Sequence, residues 1–240
     1  MIGASSAIAE ATARLLAARG SALYLVARNR NRLEAIAADI KIRGASYVAY
    51  ETLDVNDFGA HESMLERADR ALGEVNTVLI AHGTLSNQPA CEQSIELTMS
   101  ELTTNSLSVV ALATRIGARF AQKRTGTLVV ISSVAGDRGR QSNYVYGSAK
   151  ALVTAFLSGL RQRLHKFGVT VITVKPGFVD TPMTAALPKG PLWATPDAVA
   201  RGIVDAIDRK KDVVYLPFFW RPVMFAVKMV PERIFKRLVL

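Results

Sequence analysis

Short runs of apolar residues alternate along the chain with longer stretches in which apolar residues recur at helical spacing. Continuous apolar runs are typical of strands covered by helices on both faces. The predicted strands are residues 23–27, 47–50, 77–81, 128–131, 169–174 and 213–216. The predicted helices are residues 9–19, 30–43, 62–72, 94–124 (open to a break), 146–167 and 196–208.

This alternation predicts an α/β fold: a Rossmann-like, doubly wound parallel sheet with helices on both faces. The 240 residues contain no internal repeat, low-complexity tract or linker. We therefore predict a single nucleotide-binding domain over residues 1–240, in which residues 217–240 form an apolar and basic tail.

Composition narrows the class of protein. Half of the residues are hydrophobic, which is enough for a large core, and a single cysteine, Cys91, excludes an internal disulfide. The three histidines, His61, His82 and His165, lack metal-ligand spacing, so no metal site is predicted. No secretory signal is visible at the start of the sequence, and a cytoplasmic location is predicted.

A candidate acid–base set lies in the second half of the chain. Tyr146 and Lys150 are four residues apart, which places them on one face of a helix, and Ser133 follows the strand at 128–131. A nearby ammonium lowers the pKa of a phenol, so we expect Lys150 to bring the pKa of Tyr146 toward neutrality. The alternative is an ordinary surface helix, because such a pair also arises by chance.

The first residues predict a phosphate-binding turn. Gly3 permits a tight turn, Ser5 and Ser6 offer hydroxyls, Ala7 is small enough for a close approach, and Ile8 lies beside it at the entry to the helix. A helix N-terminus that follows a small-residue turn can bind a pyrophosphate through its N–H groups and its dipole. The alternative is a plain capped helix start.

The end of the first predicted strand carries Arg28 where an acidic residue would suit a free ribose hydroxyl. An arginine at this position suits a ribose 2′-phosphate, so NADP(H) is favoured over NAD(H). The alternative is a solvated loop charge.

Together these features resemble the short-chain dehydrogenase/reductase family over nearly the whole chain. Gly3, Ala7 and Ala9 fall on the positions of that family's three loop glycines. The resemblance implies that Asp54 and Val55 hold the adenine. It also implies that Ala81, His82, Gly83, Pro176, Gly177, Val179 and Thr181 lie against the cofactor.

The same resemblance implies an oxidoreductase that transfers hydride between NADPH and a carbonyl or alcohol substrate. Tyr146 would exchange the proton, and Lys150 would also bind the nicotinamide ribose. Ser133 would stabilise charge on the substrate oxygen, and Asn105 would position a relay water.

Three features depart from the family pattern. The strand that should precede the turn is largely missing, so we expect the native chain to start further upstream. Alanine replaces glycine twice in the turn, and Ile80 and Ala81 replace two asparagines. His82 is open to two interpretations: a group beside the cofactor, or a buried histidine satisfied by its neighbours.

The tail carries much of the positive charge. The net charge is +10, and the residues from 209 onward hold eight basic and two acidic side chains. Three roles stay open: packing on a neighbouring subunit in a dimer or tetramer, contact with the inner face of a membrane, or part of the core. The tail also resembles the bacterial branch that reduces keto-sugars on polyprenyl phosphates, which makes a lipid-linked keto-sugar a candidate substrate.

Two rival functions stay open: an epimerase or dehydratase of the same family, and a non-catalytic NADP-binding redox sensor. Nucleic acid is not a predicted partner, because the basic residues of the tail interleave with apolar ones rather than forming a polar stripe.

Overall fold

A computed structural model describes residues 1–238, and its centre is a parallel sheet. Its strands are β1 (Ala22–Ala27), β2 (Tyr47–Thr52), β3 (Thr77–Ile80), β4 (Thr127–Ile131), β5 (Thr170–Pro176) and β6 (Val213–Leu216). β1 pairs with β2, and β3 to β6 pair in chain order, every pair being parallel.

The helices connect these strands. They are α1 (Ala7–Ala17), α2 (Arg30–Ile42), α3 (His61–Leu72), α4 (Gln88–Cys91), α5 (Ile95–Leu102), α6 (Ser108–Lys123), α7 (Tyr144–His165), α8 (Pro196–Asp208), α9 (Trp220–Met229) and α10 (Glu232–Phe235). The periodic pattern placed the longer helices within two residues of their observed bounds. It missed α4, which is a single turn capped by the Asn87 side chain, and it assigned no bounds to α9 and α10 in the tail.

The first residues of the chain lie between β1 and β3 and join the two groups of strands. Ile2 bridges Val26 on one side and Ile80 on the other. Its N–H donates to the Leu79 carbonyl at 2.8 Å, and its carbonyl accepts from Ala81 N–H at 2.8 Å. The expectation of a largely missing first strand therefore finds no support. The order of strands along the sheet reverses at this junction.

Helices cover both faces of the sheet, as predicted. On one face, apolar residues of α3, α6 and α7 pack on the strands around Leu112, Leu157 and Val130. On the other face, α1, α2 and α8 pack around Leu33, Ile172 and Ile203. The α/β prediction is confirmed.

The helix predicted over residues 94–124 is interrupted. The Ser94 side chain caps α5 by accepting a hydrogen bond from Leu97 N–H at 3.1 Å. The π-helical segment Thr103–Leu107 then separates α5 from α6. Such wide turns often occur at functional sites. This one carries Asn105.

The tail folds partly onto the rest of the chain. Trp220 and Met224 are buried against Val134. Arg138 donates to the Val227 carbonyl at 2.9 Å, and its guanidinium lies 3.7 Å from the ring centroid of Phe235. Of the three roles left open for the tail, packing in the core therefore applies to its inner face.

The outer face of the tail exposes large apolar side chains: Phe218, Phe225, Met229 and Ile234. Residues 239–240 of the predicted tail lie outside the described residues. Within residues 1–238, no helix is both long enough and apolar enough to cross a bilayer. Contact with a neighbouring subunit and contact with a membrane surface both stay predictions.

A buried ion pair connects the segment after β4 to β5 and β6. The Lys175 ammonium contacts the Asp137 carboxylate, and the two side chains are 7% and 3% exposed. Tyr215 donates its hydroxyl to the same carboxylate at 2.8 Å. Burial first, and Asp137 second, raise the pKa of Tyr215 above its usual value. All three side chains therefore depend on one another for partners.

Removing one member of this cluster should destabilise the fold strongly. Asp137→Ala leaves a buried ammonium without its counter-charge, and we expect the free energy of unfolding to fall by about 3–5 kcal/mol. Asp208→Ala is the matched control, because it breaks the exposed pair with Arg19 and should cost less than about 1 kcal/mol. Urea unfolding of both variants measures the difference. Equal, small losses would contradict a structural role for the buried pair.

Candidate active site

A cleft of about 390 Å³ lies at the carboxyl ends of the strands, where their order reverses. In open α/β sheets this is the place where ligands bind. The predicted site residues that line the cleft are Gly3, Ser5, Ser6, Ala7, Ile8, Arg28, Asp54, Val55, Ala81, His82, Gly83, Ser133, Tyr146, Lys150, Pro176, Gly177, Val179 and Thr181. Asn105 is the predicted site residue that does not.

The turn before α1 has the geometry of an anion site. Gly3 has a φ of +81°, and a Cβ there would overlap the backbone of His82. The Ser6 side chain caps α1 by accepting from Ala9 N–H at 3.2 Å. Among residues 1–238, the N–H groups of Ala7 and Ile8 have no acceptor. These free donors and the helix dipole suit a pyrophosphate.

The departures from the family pattern serve packing. Ala9 is fully buried in the core formed with α8, so its methyl group does not enter the cleft. Ile80 is 1% exposed and packs in the core on the other face of the sheet. Of the two alanines in the turn, only Ala7 reaches the cleft wall.

Arg28 is exposed at the end of β1 and lines the cleft. Its neighbours are paired: Arg30 contacts Glu34 at 2.9 Å, and Arg32 contacts Glu10 at 2.6 Å. In the described part of the chain, Arg28 has no ion-pair or hydrogen-bond partner. Its guanidinium is therefore available to a ligand.

The structure brings Ser133, Tyr146 and Lys150 together. Ser133 caps the 3-10 segment Val134–Asp137, and its Oγ accepts from Ala135 N–H at 3.1 Å. Tyr146 and Lys150 lie one turn apart on α7, with Lys150 Nζ 5.6 Å from the Tyr146 ring centroid. Lys150 is 3% exposed, and its Nζ donates to the Ile131 carbonyl at 3.2 Å. The two side chains predicted as an acid–base pair therefore lie close together on α7.

The pKa of Tyr146 was expected to fall, but when only the groups of the protein act on it, it rises. Burial raises the pKa of Tyr146 to about 12 and outweighs the Ser133 side chain, which acts in the opposite direction. Burial also lowers the pKa of Lys150 to about 8. A poorly hydrated site disfavours charge on both groups, and burial is the largest cause of each shift. Tyr146 is therefore a neutral phenol at pH 7.

Asn105 is fully buried behind the cleft wall. Its Oδ1 accepts from Thr84 N–H at 2.9 Å, and its Nδ2 donates to Thr84 Oγ1 and Glu101 Oε2, each at 3.0 Å. A Cβ placed on Gly83 would lie 2.9 Å from Asn105 Oδ1 and 3.5 Å from Lys150 Nζ. Asn105 and Lys150 thus approach each other across Gly83.

His82 shows features of both interpretations, because it lines the cleft and is also a buried histidine bonded to a neighbour. Its Nε2 lies 2.8 Å from Ser108 Oγ, and Ser108 donates its own proton to the Thr104 carbonyl at 2.8 Å. The Nε2 atom must therefore carry the proton. Nδ1 is buried without a partner among residues 1–238, although the residue lines the cleft. Burial first, and Lys150 second, lower the pKa of His82 to about 3, so the ring is neutral.

Sequence reasoning missed several residues of the site. Trp220 lies against Gly177, where a Cβ would overlap its indole, and its ring centroid is 5.7 Å from that of Phe178. No local pattern links the tail to this loop. Glu101 accepts a hydrogen bond from Asn105. It lies four residues earlier in the sequence, and this helical spacing was a signal that could have identified it. Arg140 and Asn143 also line the cleft, between Ser133 and Tyr146 in sequence.

A parallel sheet with a dinucleotide-type cleft and a tyrosine–lysine pair defines a nucleotide-dependent oxidoreductase. Residues 1–191 match the short chain dehydrogenase family. The chain is 36% identical over 238 residues to an uncharacterized oxidoreductase of Mycobacterium tuberculosis, covering 99% of this chain and 95% of that protein. It is 32% identical over 185 residues to the 3-oxoacyl-[acyl-carrier-protein] reductase of Escherichia coli, covering 77% and 74%.

Solved structures agree. The fold matches a short-chain dehydrogenase from Sphingobium yanoikuyae in complex with NADPH, with a TM-score of 0.82, 26% identity and coverage of 97% and 95% of the two chains. It also matches an alcohol dehydrogenase from Thermococcus sibiricus complexed with 5-hydroxy-NADP, with a TM-score of 0.79, 26% identity and coverage of 90% and 93%.

The chain therefore belongs to the short-chain dehydrogenase/reductase family, and it is an NAD(P)-dependent oxidoreductase that acts on a carbonyl or alcohol substrate. The suggested resemblance to the keto-sugar reductase branch finds no support in these comparisons.

The burial of Lys150 should make stability depend on pH in a defined window. Its pKa is about 8 in the folded protein against a usual 10.5, so the folded state binds fewer protons between these values and stability rises with pH there. Above pH 10 the raised pKa of Tyr146 acts in the opposite direction. From about pH 8 to 9.5 we expect Lys150 to add about 2 kcal/mol to the free energy of unfolding.

The measurement is urea unfolding of the nucleotide-free protein at several pH values, compared with Lys150→Met. The difference in free energy of unfolding between the two proteins isolates this one group from all others that titrate. A difference that stays constant from pH 7 to 9.5 would contradict a depressed pKa for Lys150.

Proposed function

We propose that this chain reduces a carbonyl compound to an alcohol with NADPH as the cofactor, using Ser133, Tyr146, Lys150 and Asn105. The observation that carries the proposal is the placement of Tyr146 and Lys150 one helical turn apart, with Ser133, in the wall of a cleft at the reversal point of the sheet. The comparisons support an oxidoreductase but do not name a substrate.

The cleft has groups that suit the cofactor from end to end. The free N–H groups of Ala7 and Ile8 fit the pyrophosphate, and Asp54 and Val55 line the adenine end. The unpaired Arg28 fits a 2′-phosphate, which is the basis for proposing NADPH. The proposed residues at the nicotinamide end are Pro176, Gly177, Val179 and Thr181, with Lys150 at the ribose.

The nicotinamide supplies the hydride when the cofactor is bound. Tyr146 donates its phenolic proton to the substrate oxygen as negative charge develops there. Ser133 donates a hydrogen bond to the same oxygen, and Lys150 stabilises the phenolate that remains. The raised pKa of Tyr146 keeps its proton in place at pH 7, which favours its role as a donor in the reducing direction.

Proton resupply would run through the wall behind Lys150. Asn105 approaches Lys150 across Gly83, and Glu101 and Thr84 hold the Asn105 side chain in position. A water held by Asn105 could pass a proton toward Lys150 and on to Tyr146. In this proposal Asn105 acts through water and does not touch the substrate.

The first test is removal of the proton donor. Tyr146→Phe keeps the ring and removes the hydroxyl, so we expect kcat for carbonyl reduction to fall by about 10²–10⁴-fold, while NADPH still binds. Tyr144→Phe is the matched control, since Tyr144 is exposed on the same helix and should keep activity. NADPH absorbance reports turnover and NADPH fluorescence reports binding.

Full activity of Tyr146→Phe would end this mechanism. If the wild-type protein binds NADPH but reduces none of a broad panel of ketones, aldehydes and keto-sugars, the rival reading as a non-catalytic sensor gains support. An exchange of substrate stereochemistry with no net consumption of NADPH would instead favour an epimerase.

The second test concerns cofactor choice. Arg28→Ala removes the guanidinium proposed to contact the 2′-phosphate, so the KM for NADPH should rise about 10–100-fold while the KM for NADH changes little. Arg30→Ala is the control, because Arg30 is already paired with Glu34. Steady-state kinetics with both cofactors decide the question. A wild-type preference for NADH, or an equal rise for both cofactors, would contradict the proposed contact.

A further inference from the structure

The loop over residues 138–143 forms one rim of the cleft. It connects the segment that carries Ser133 to the first turn of α7, which carries Tyr146. Two of its side chains, Arg140 and Asn143, line the cleft together with those two residues. Groups on this loop are therefore held beside the place where the proposed reaction occurs.

Arg140 is a half-buried cation without a counter-charge. In the described residues it makes no ion pair, and its Nε is buried with no hydrogen-bond partner. Arg138, two residues earlier, has Glu232 at 3.0 Å and backbone carbonyls as partners. The side chain is half-buried, and burial lowers the pKa of the Arg140 guanidinium. An unpaired, poorly hydrated guanidinium is costly unless a ligand supplies the missing charge.

Asn143 adds a second unsatisfied group on the same rim. It precedes α7 in the N-cap position, yet its side chain does not cap the helix. Its Oδ1 is buried, and the side-chain amide makes no hydrogen bond within residues 1–238. An amide offers donors and an acceptor, so it can complement either oxygens or hydroxyls of a bound molecule.

The charges along the cleft indicate what Arg140 faces. Its lining contains three cations, Arg28, Arg140 and Lys150, and among the described lining residues Asp54 is the only acid. In the proposed function the cofactor engages Arg28 and Lys150, and Asp54 lies at the adenine end. Arg140 is then the cation left over on the substrate side.

The segment that follows β5 adds apolar side chains to the cleft. Phe178, Met183 and Leu187 line the cleft from this segment. The Thr184 hydroxyl donates to the Val179 carbonyl at 2.6 Å, which ties this segment back to the cofactor loop. The same cleft thus offers a ligand a cation and an amide from the 138–143 loop and hydrocarbon from this segment.

We propose that Arg140 and Asn143 form a subsite for an anionic group of the substrate, so that the enzyme acts on acidic carbonyl compounds, a carboxylate or a phosphate near the carbonyl, with an apolar part against Met183 and Leu187. A guanidinium binds either anion through paired hydrogen bonds. This inference rests on the proposed function, because it assigns the substrate side of that same cleft.

The test compares matched acidic and neutral ligands by calorimetric titration of the protein loaded with NADP⁺, which has no hydride to transfer to them. Acetoacetate against methyl acetoacetate probes a carboxylate, and dihydroxyacetone phosphate against dihydroxyacetone probes a phosphate. We expect the acidic member of at least one pair to bind about tenfold or more tightly than its neutral partner. Arg140→Met should abolish that preference, and Arg140→Lys should keep part of it.

Arg201→Met is the control for loss of one positive charge, because Arg201 is exposed on α8 outside the cleft and should leave the preference intact. Equal binding of acidic and neutral members in both pairs, or a preference that survives Arg140→Met, would overturn the subsite. The two pairs distinguish a carboxylate from a phosphate. The calorimetric titration measures binding without turnover. Absence of carbonyl reduction would therefore refute the proposed function without deciding whether the anion subsite exists.

Discussion

The parallel pairing of the first residues with β1 and β3 is the constraint on which the site depends. Ile2 is the bridge that joins β1 and β2 to the other four strands, and the chain turns at Gly3 immediately afterwards. The close approach of this turn to the His82 backbone leaves no room for a side chain at Gly3. The junction of the sheet therefore also fixes the floor of the cleft and the start of α1.

Burial shapes the chemistry of this cleft more than nearby charges do. It shifts Tyr146, Lys150 and His82 toward their neutral forms. The guanidinium groups of Arg28 and Arg140 also line the cleft, and neither has a carboxylate partner in the described residues. The cleft thus holds an uncharged phenol together with two guanidinium groups, an arrangement that suits ligands bearing negative charge.

Much of the fold and part of the site follow from local patterns. Continuous apolar runs identify strands buried on both faces, and the four-residue spacing of Tyr146 and Lys150 fixes their shared helix face. The sign of the Tyr146 pKa shift does not follow, because it depends on how deeply α7 is buried. The sequence also cannot predict that Arg140 lacks a partner in the described residues, because this depends on where the carboxylates lie in the fold. The contact of Trp220 with Gly177 joins residues far apart in the sequence.

These long-range contacts give the C-terminal segment a place in the site. Trp220 supports the loop at Gly177 from behind, and Arg138 holds the carbonyls at the end of α9. Asp137 lies in the 3-10 segment that Ser133 caps. It contacts Lys175 on β5 and Tyr215 on β6. The position of Ser133 is therefore set from both strands and from the tail. A change in how the tail packs would therefore shift Ser133 through this segment, although none of residues 217–238 lines the cleft.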